Sequence, residues 1–256
     1  MSCRSALPQA TALLCALSTA AAGQNATSAA ANCQGLPGRA ALKAAVIKAA
    51  HNYGTIGGLF QGTRMWGAIV NRDGKLCAFA TSTDDPTKVW PGSQAIAKAK
   101  AYTANAFSLG TSSVGGIAGF PLSTAQLYTF VQPGHSLFGL NNSNLLDPDC
   151  LAPASGDGGG LNRICGGIIT FGGGVALFHG GRALGGLGIS GDTACADHEI
   201  ARNTRDALGL NPPGGATADD ISYSSESGAS AFTHPLCPNT YHRGAKLGDE
   251  LAATGY

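Results

Sequence analysis

Cys195, His198, Arg202 and Arg205 fall at i, i+3, i+7 and i+10, a single stripe of any helix that carries them. A cysteine, an imidazole and two guanidiniums in line can do two kinds of chemistry. The positive end of a helix dipole disfavours imidazolium, and a neutral imidazole is a ligand for haem iron or a transition metal, so His198 is the candidate metal ligand. Arg202 and Arg205 on the same exposed stripe could hold carboxylates such as haem propionates. The plainer reading is that His198 hydrogen-bonds the backbone of the chain's tail. Cys195-x2-His198 and His234-x2-Cys237, with His242 nearby, also have zinc-like ligand types. In an exported chain a disulfide between the two cysteines is the expected outcome. His51 reads as a dipole partner at a helix end, and His135, after Gly134, sits in a long loop. His179 marks a hairpin turn. Lys98, Tyr102 and Asn105 share what reads as the exposed side of another helix, lining either a pocket or a subunit contact. No Ser/His/Asp order, carboxylate pair or phosphate loop stands out, so the residues give catalysis no positive support.

The stripe has to be positioned, and Gly166–Leu210 reads as the unit that does it. Gly174–Phe178 and Leu184–Ile189 are short apolar runs around Gly180-Gly181, a hairpin pattern. Ser190-Gly191-Asp192 breaks the strand and supplies an N-cap for a helix running to Gly209. Such a corner aims backbone N–H groups and a helix dipole at one point, which makes Ser190, Gly191 and Asp192 candidates for an anionic or polar ligand. Glycines this dense in strands point to the close approach of another backbone or of a ligand. Gly186 to Gly191 matches G-x-G-x-x-G, but Pro212-Pro213-Gly214-Gly215 comes where a dinucleotide fold needs its next strand. The nucleophile elbow G-x-S-x-G also fails, because position 192 is Asp.

Pro37–Tyr53 carries the helical stripe Leu42, Ala45, Val46, Ala49, Ala50, Tyr53 and stops at Gly54. Met65–Val70 and Leu76–Thr81 flank an Asp73-Gly74 hairpin signal. Gln94–Ser108 is an alanine-rich helix, with Ile96, Ala99, Thr103, Ala106 and Phe107 on one face. Ser123–Val131 reads as a short helix, Pro133–Asp149 as irregular, and Ile164–Phe171 as a further strand. Four or five hairpin-connected strands with helices before, between and after make an α+β domain.

A formal charge of +1 and the lack of a Lys/Arg cluster exclude a nucleic-acid footprint. Only 12% of residues are charged, about half the usual share, which points to a buried core and to subunit faces hidden in a homo-oligomer. Residues 1–22 read as a signal peptide, with Arg4 ahead of a short apolar run and Ala20-Ala21-Ala22 as the cleavage site. No later run is long enough to span a membrane, so the expected location is secreted or periplasmic. Asn25 and Asn141 begin glycosylation sequons. Six cysteines remain beyond the leader, and their even number points to disulfides. Cys150 and Cys165 bracket a Gly/Ser/Pro loop and form the natural local pair. A first helix antiparallel to the first strand brings Cys33 to Cys77, which leaves Cys195 for Cys237. That last pair ties back a Pro/Gly/Ser-rich tail over 211–256.

The run GGxxxFGGGxALxxxGRxxGGxGxSGDxxCADHxIAxxxRxALG resembles the C-terminal half of GlcG/HbpS-like haem-binding, haem-degrading domains. Trp90–Leu109 resembles that family's central helix, and Ser123–Asp147 the loop region after it. The likeness covers roughly residues 36–210, within a domain bounded at 33–210. It implies a profilin-like antiparallel β-sheet flanked by α-helices, and haem as cofactor. Sequestration or sensing of haem is then the expected role, with an unidentified receptor as partner. Haem degradation and cofactor-free self-assembly are the alternatives.

Overall fold

Every residue of the strand Trp66–Asn71 (β1) is buried, so both faces of its sheet must be covered. The computed structural model describes residues 33–110, 119–151 and 159–250, and shows how. The leader, the Asn25 sequon and the chain end beyond 250 lie outside the described residues. Met1–Gln34 and Gly35–Tyr256 are separate units, and the sheet with its helices belongs to the second.

β1 pairs antiparallel with Leu76–Thr81 (β2) on one side and with Arg182–Ser190 (β4) on the other. Gly174–His179 (β3) pairs outside β4, giving the order β2-β1-β4-β3. Alternation along β1 sorts its side chains. Ile69 points into a core with Leu42, Val46, Val175, Leu187 and Ile200, while Trp66, Ala68 and Val70 join Phe79, Ala97 and Ala101 on the other face. Arg39–His51 (α1) and Ala194–Ala207 (α3) cover the first face, and Gly92–Phe107 (α2) covers the second. This is the expected α+β architecture of an antiparallel sheet flanked by helices.

The strand glycines admit a backbone. A Cβ on Gly186 would lie 2.1 Å from the Ala101 carbonyl oxygen, and one on Gly188 2.0 Å from that of Ala97. So α2 rests directly on β4, and its alanines let it approach. Its polar residues are carried in with it. Lys98 and Asn105, expected on an exposed side, are buried, because the segment carrying the Cys150–Cys165 disulfide and the β1–β2 turn close over them. The Lys98 ammonium donates to the carbonyls of Cys150 and Gly159 and sits 4.4 Å above the Phe79 ring. Burial pushes its pKa down to about 8.

Three local expectations are corrected. Ile164–Phe171 is not a strand, since Gly166 and Gly167 adopt φ of +69° and +85° and leave only isolated bridges. Ser123–Val131 forms two 3-10 turns, Ala125–Leu127 and Thr129–Val131, rather than one helix. The N-cap of α3 is Thr193, whose hydroxyl accepts from the Ala196 N–H.

The tail is built into the fold. A turn of helix at Ser224–Ser227 (α4) precedes a hairpin of Thr240–His242 (β5) and Ala245–Gly248 (β6). The Cys195–Cys237 disulfide ties this segment to the first turn of α3, over a small core of Ile221 and Tyr223. Cys33 and Cys77 are each disulfide-bonded.

Candidate functional site

The corner Ser190–Asp192 does offer backbone N–H groups, but the chain's own carboxylates take them. Asp192 accepts from the N–H groups of Leu59 at 2.6 Å, Phe60 at 2.8 Å and Thr193 at 2.7 Å. Asp197 accepts from the Asp192 N–H at 2.9 Å. Ser190 is spent in pairing β4 to β1, and a Cβ on Gly191 would fall 1.9 Å from the Arg64 carbonyl oxygen. Asp197 is itself buried against Lys100, 2.6 Å from its ammonium, and Lys100 also lies 4.7 Å over the Phe171 ring. Burial raises the Asp197 carboxyl to about 6, although Lys100 opposes the shift.

The stripe of α3 is interior, which corrects the expectation that it is exposed. His198 and Arg205 are fully buried and Arg202 nearly so, because the tail lies across them. His198 Nε2 accepts from the Ile221 N–H at 3.1 Å, and Nδ1 faces the Gly173 N–H at 3.4 Å. The Ile221 contact is the tail-backbone hydrogen bond expected of this residue, and the same ring nitrogen lies 3.5 Å from Asp220 Oδ1. Arg205 makes a bidentate pair with Asp219, at 2.5 and 2.8 Å, and donates to the carbonyls of Ala176 and Ala216. Arg202 pairs with Glu199 at 2.9 Å and approaches Asp220. Burial alone would raise the Asp220 carboxyl. Contacts with His198, His242 and Arg202 outweigh it and hold Asp220 far below the usual carboxylate range.

What opens beside the start of α3 is an aromatic groove of about 350 Å³. Trp90, Tyr128, Phe171 and His234 line it, with Asp192 and Glu250 at its polar edges. The volume lies at the small end of the ~300–1,000 Å³ typical of ligand sites. His234 packs its ring 4.9 Å from that of Tyr128. Its Nδ1 lies 2.7 Å from the Pro235 carbonyl, which can only accept, so Nδ1 carries the proton. Nε2 is then the lone-pair nitrogen, meeting the Gly172 N–H at a long 3.4 Å. Burial pushes the imidazole pKa down to about 4, which keeps the ring neutral near pH 7. Phe60 meets Trp90 edge-on at 6.1 Å and carries the exposed Arg64 guanidinium 4.6 Å over its ring. In sequence only the spacing His234-x2-Cys237 hinted at this place, by tying His234 to the first turn of α3. Nothing there marked Trp90, Tyr128 or Phe171 as its walls. Of the zinc-like set, Cys195, His234 and Cys237 do come together, but the two cysteines are joined to each other as the expected disulfide and offer no thiolates.

A four-stranded antiparallel sheet with helices on both faces, and an aromatic groove at the head of α3, define an α+β class of domain. The chain belongs to the HbpS-like family of haem-degrading proteins, whose model matches residues 39–206. No curated protein matches it significantly. Among solved structures it is similar to the PduOC–haem complex, at 25% identity and a TM-score of 0.45 over 68% of this chain and 93% of that one. It is also similar to Klebsiella pneumoniae ORFY, at 23% identity and 0.44 over 66% and 85%. A double mutant of Streptomyces reticuli HbpS matches at 18% identity and 0.39, over 81% and 95%.

Proposed function

We propose that this is an exported, homo-oligomeric haem-binding protein that holds the macrocycle in the groove at the head of α3. The observation that carries the reading is the groove itself, where flat aromatic walls and a neutral imidazole meet in a member of a haem-related family. Haem would supply a Lewis-acidic iron and a planar apolar surface. The residues fit it in part. Trp90, Tyr128 and Phe171 suit the ring faces, and His234 Nε2 suits the iron once it gives up its long contact with the Gly172 N–H. The propionates do not fit Arg202 and Arg205, which are buried and paired, nor the edges at Asp192 and Glu250. Arg64, exposed over the ring of Phe60, is the cation assigned to them in this reading, supported by the contact of Phe60 with Trp90. His198 acts behind the site, fixing the tail segment that carries His234.

Haem titration of the mature chain should produce a saturable Soret band. His234→Ala should shift or abolish that band, and Arg64→Ala should weaken affinity about tenfold to hundredfold with the band unmoved, the loss of one charge-assisted contact worth roughly 1.5–3 kcal/mol. His198→Ala should alter stability first. A titration with no saturable spectral change sinks the reading, and a wild-type spectrum in His234→Ala moves the iron ligand elsewhere.

A further inference from the structure

Where the tail crosses α3, Glu199, Asp220 and His242 converge. All three are buried, and one donor atom from each lies within 4.8 Å of the others. His242 Nε2 is 3.2 Å from Asp220 Oδ2 and 4.0 Å from Glu199 Oε1. The other ring nitrogen, Nδ1, is 2.7 Å from Glu226 Oε2, the carboxylate–imidazole arrangement that orients a ligating histidine. Glu199 takes Arg202 and the Arg243 N–H on Oε2, whereas its buried Oε1 has no hydrogen-bond partner among the described residues. The Tyr223 hydroxyl, buried and likewise unpartnered among them, belongs to a ring 5.5 Å from that of His242. A buried carboxylate oxygen with nothing to bond is costly unless a cation shares it.

Charge points the same way. Glu199, Asp220 and Glu226 face two guanidiniums, those of Arg202 and Arg243, and both ring nitrogens of His242 face carboxylate oxygens, so the third positive charge is a proton on Nε2 that a metal ion would replace. Arg243 is an unusual partner. It occupies the first central position of the β5–β6 turn at φ +51°, followed by Gly244 at +82°, where Asn-Gly is the favoured pair. From there its Nε and a terminal nitrogen reach Asp220 Oδ2 at 3.0 and 2.8 Å. Its side chain is 53% exposed, so it can swing into water. A cavity of about 340 Å³ lined by Asp220, Glu226, His242 and Arg243 gives access.

We propose that Glu199, Asp220 and His242 bind one divalent transition-metal ion, with Glu226 orienting His242 and Arg243 leaving Asp220 as the ion enters. One imidazole nitrogen and two carboxylate oxygens suit Mn²⁺, Fe²⁺ or Zn²⁺. Asp220 and His242 lie outside the family's matched segment, so the ion clamps this chain's own tail to α3. The site is independent of the haem reading.

The test uses chelator-treated, haem-free full chain titrated with Mn²⁺ by calorimetry and electron paramagnetic resonance. One ion per chain is expected, with a rise in unfolding temperature. Glu199→Gln should weaken binding at least tenfold, and Glu226→Gln about tenfold through the ligand it orients. Arg243→Asn keeps the turn and removes the competing guanidinium, so it should tighten binding several-fold, a gain that misfolding cannot imitate. Co²⁺ should give ligand-field bands without thiolate charge transfer. Failure of both wild type and Arg243→Asn to bind overturns the proposal. So does equal affinity in wild type and Glu199→Gln.

Discussion

His234 shows how one buried ring can report on the fold around it. It faces the Tyr128 and Tyr223 rings, the Pro235 carbonyl and the Gly172 N–H, with the Lys100 ammonium adding repulsion to a proton that burial already disfavours. An unfolded histidine titrates near 6.5, so the fold binds fewer protons here than the unfolded chain. Its contribution is therefore complete above about pH 6.5 and is lost as pH falls through about 4. A displacement of this size is worth on the order of 3 kcal/mol. His234→Gln can still accept from Gly172 and donate to Pro235 but cannot titrate. Unfolding followed between pH 7 and 4 should show a shallower acid loss in that variant. Parallel curves for the two proteins would mean that other groups set the acid limit.

At the scale of elements, the contact between α2 and β4 decides whether the second core forms. Gly186 and Gly188 leave no room for a side chain beneath Ala97 and Ala101, and the nearest atoms are backbone oxygens, which cannot rotate away. Gly188→Ala should push α2 off the sheet and cost toward the upper end of the ~1–3 kcal/mol typical of overpacking. Denaturant melts should show the loss, whereas Gly180→Ala, with open space around its Cβ, should lose less, mainly through its φ of +56°. A G-x-G pattern that suggests phosphate binding in another setting serves here to seat a helix.

For the whole molecule, the tail is a layer packed over the polar stripe of α3. Removing the Cys195–Cys237 bond by replacing both residues with alanine opens a loop of sequence separation 42, worth roughly 4 kcal/mol of chain entropy. Limited proteolysis should then cut between 211 and 250 before the sheet, and protection at His198 should fall with it. Loss of the sheet first would contradict the tail's position as an added layer. Non-reducing peptide mapping is expected to join Cys33 to Cys77. Light scattering is expected to give a multiple of one chain's mass, from the low charge and from exposed apolar residues such as Leu145 at 79% and Phe138 at 66%. A mass near one chain would refute assembly.

Elements defined by short-range pattern were legible from the residues alone. The stripe Leu42, Ala45, Val46, Ala49 is the buried face of α1, Asp73-Gly74 does turn β1 into β2, and the hairpin around Gly180-Gly181 stands. Cys150–Cys165 and Cys195–Cys237 pair as spacing and elimination required. Periodicity could say that α3 had a polar stripe, but not what would cover it. A stripe of Cys195, His198, Arg202 and Arg205 reads as solvent-facing until Asp219, Asp220 and the Ile221 N–H arrive from the tail to satisfy it. Those partners lie 14 to 23 residues away, joined through turns that no hydrophobic period encodes. The same holds for the corner at Asp192, whose N–H groups looked open because their acceptors are the carboxylates of Asp192 and Asp197 in the same short segment. Local pattern set the elements, and the burial of charge set by long-range packing decided where chemistry remained possible.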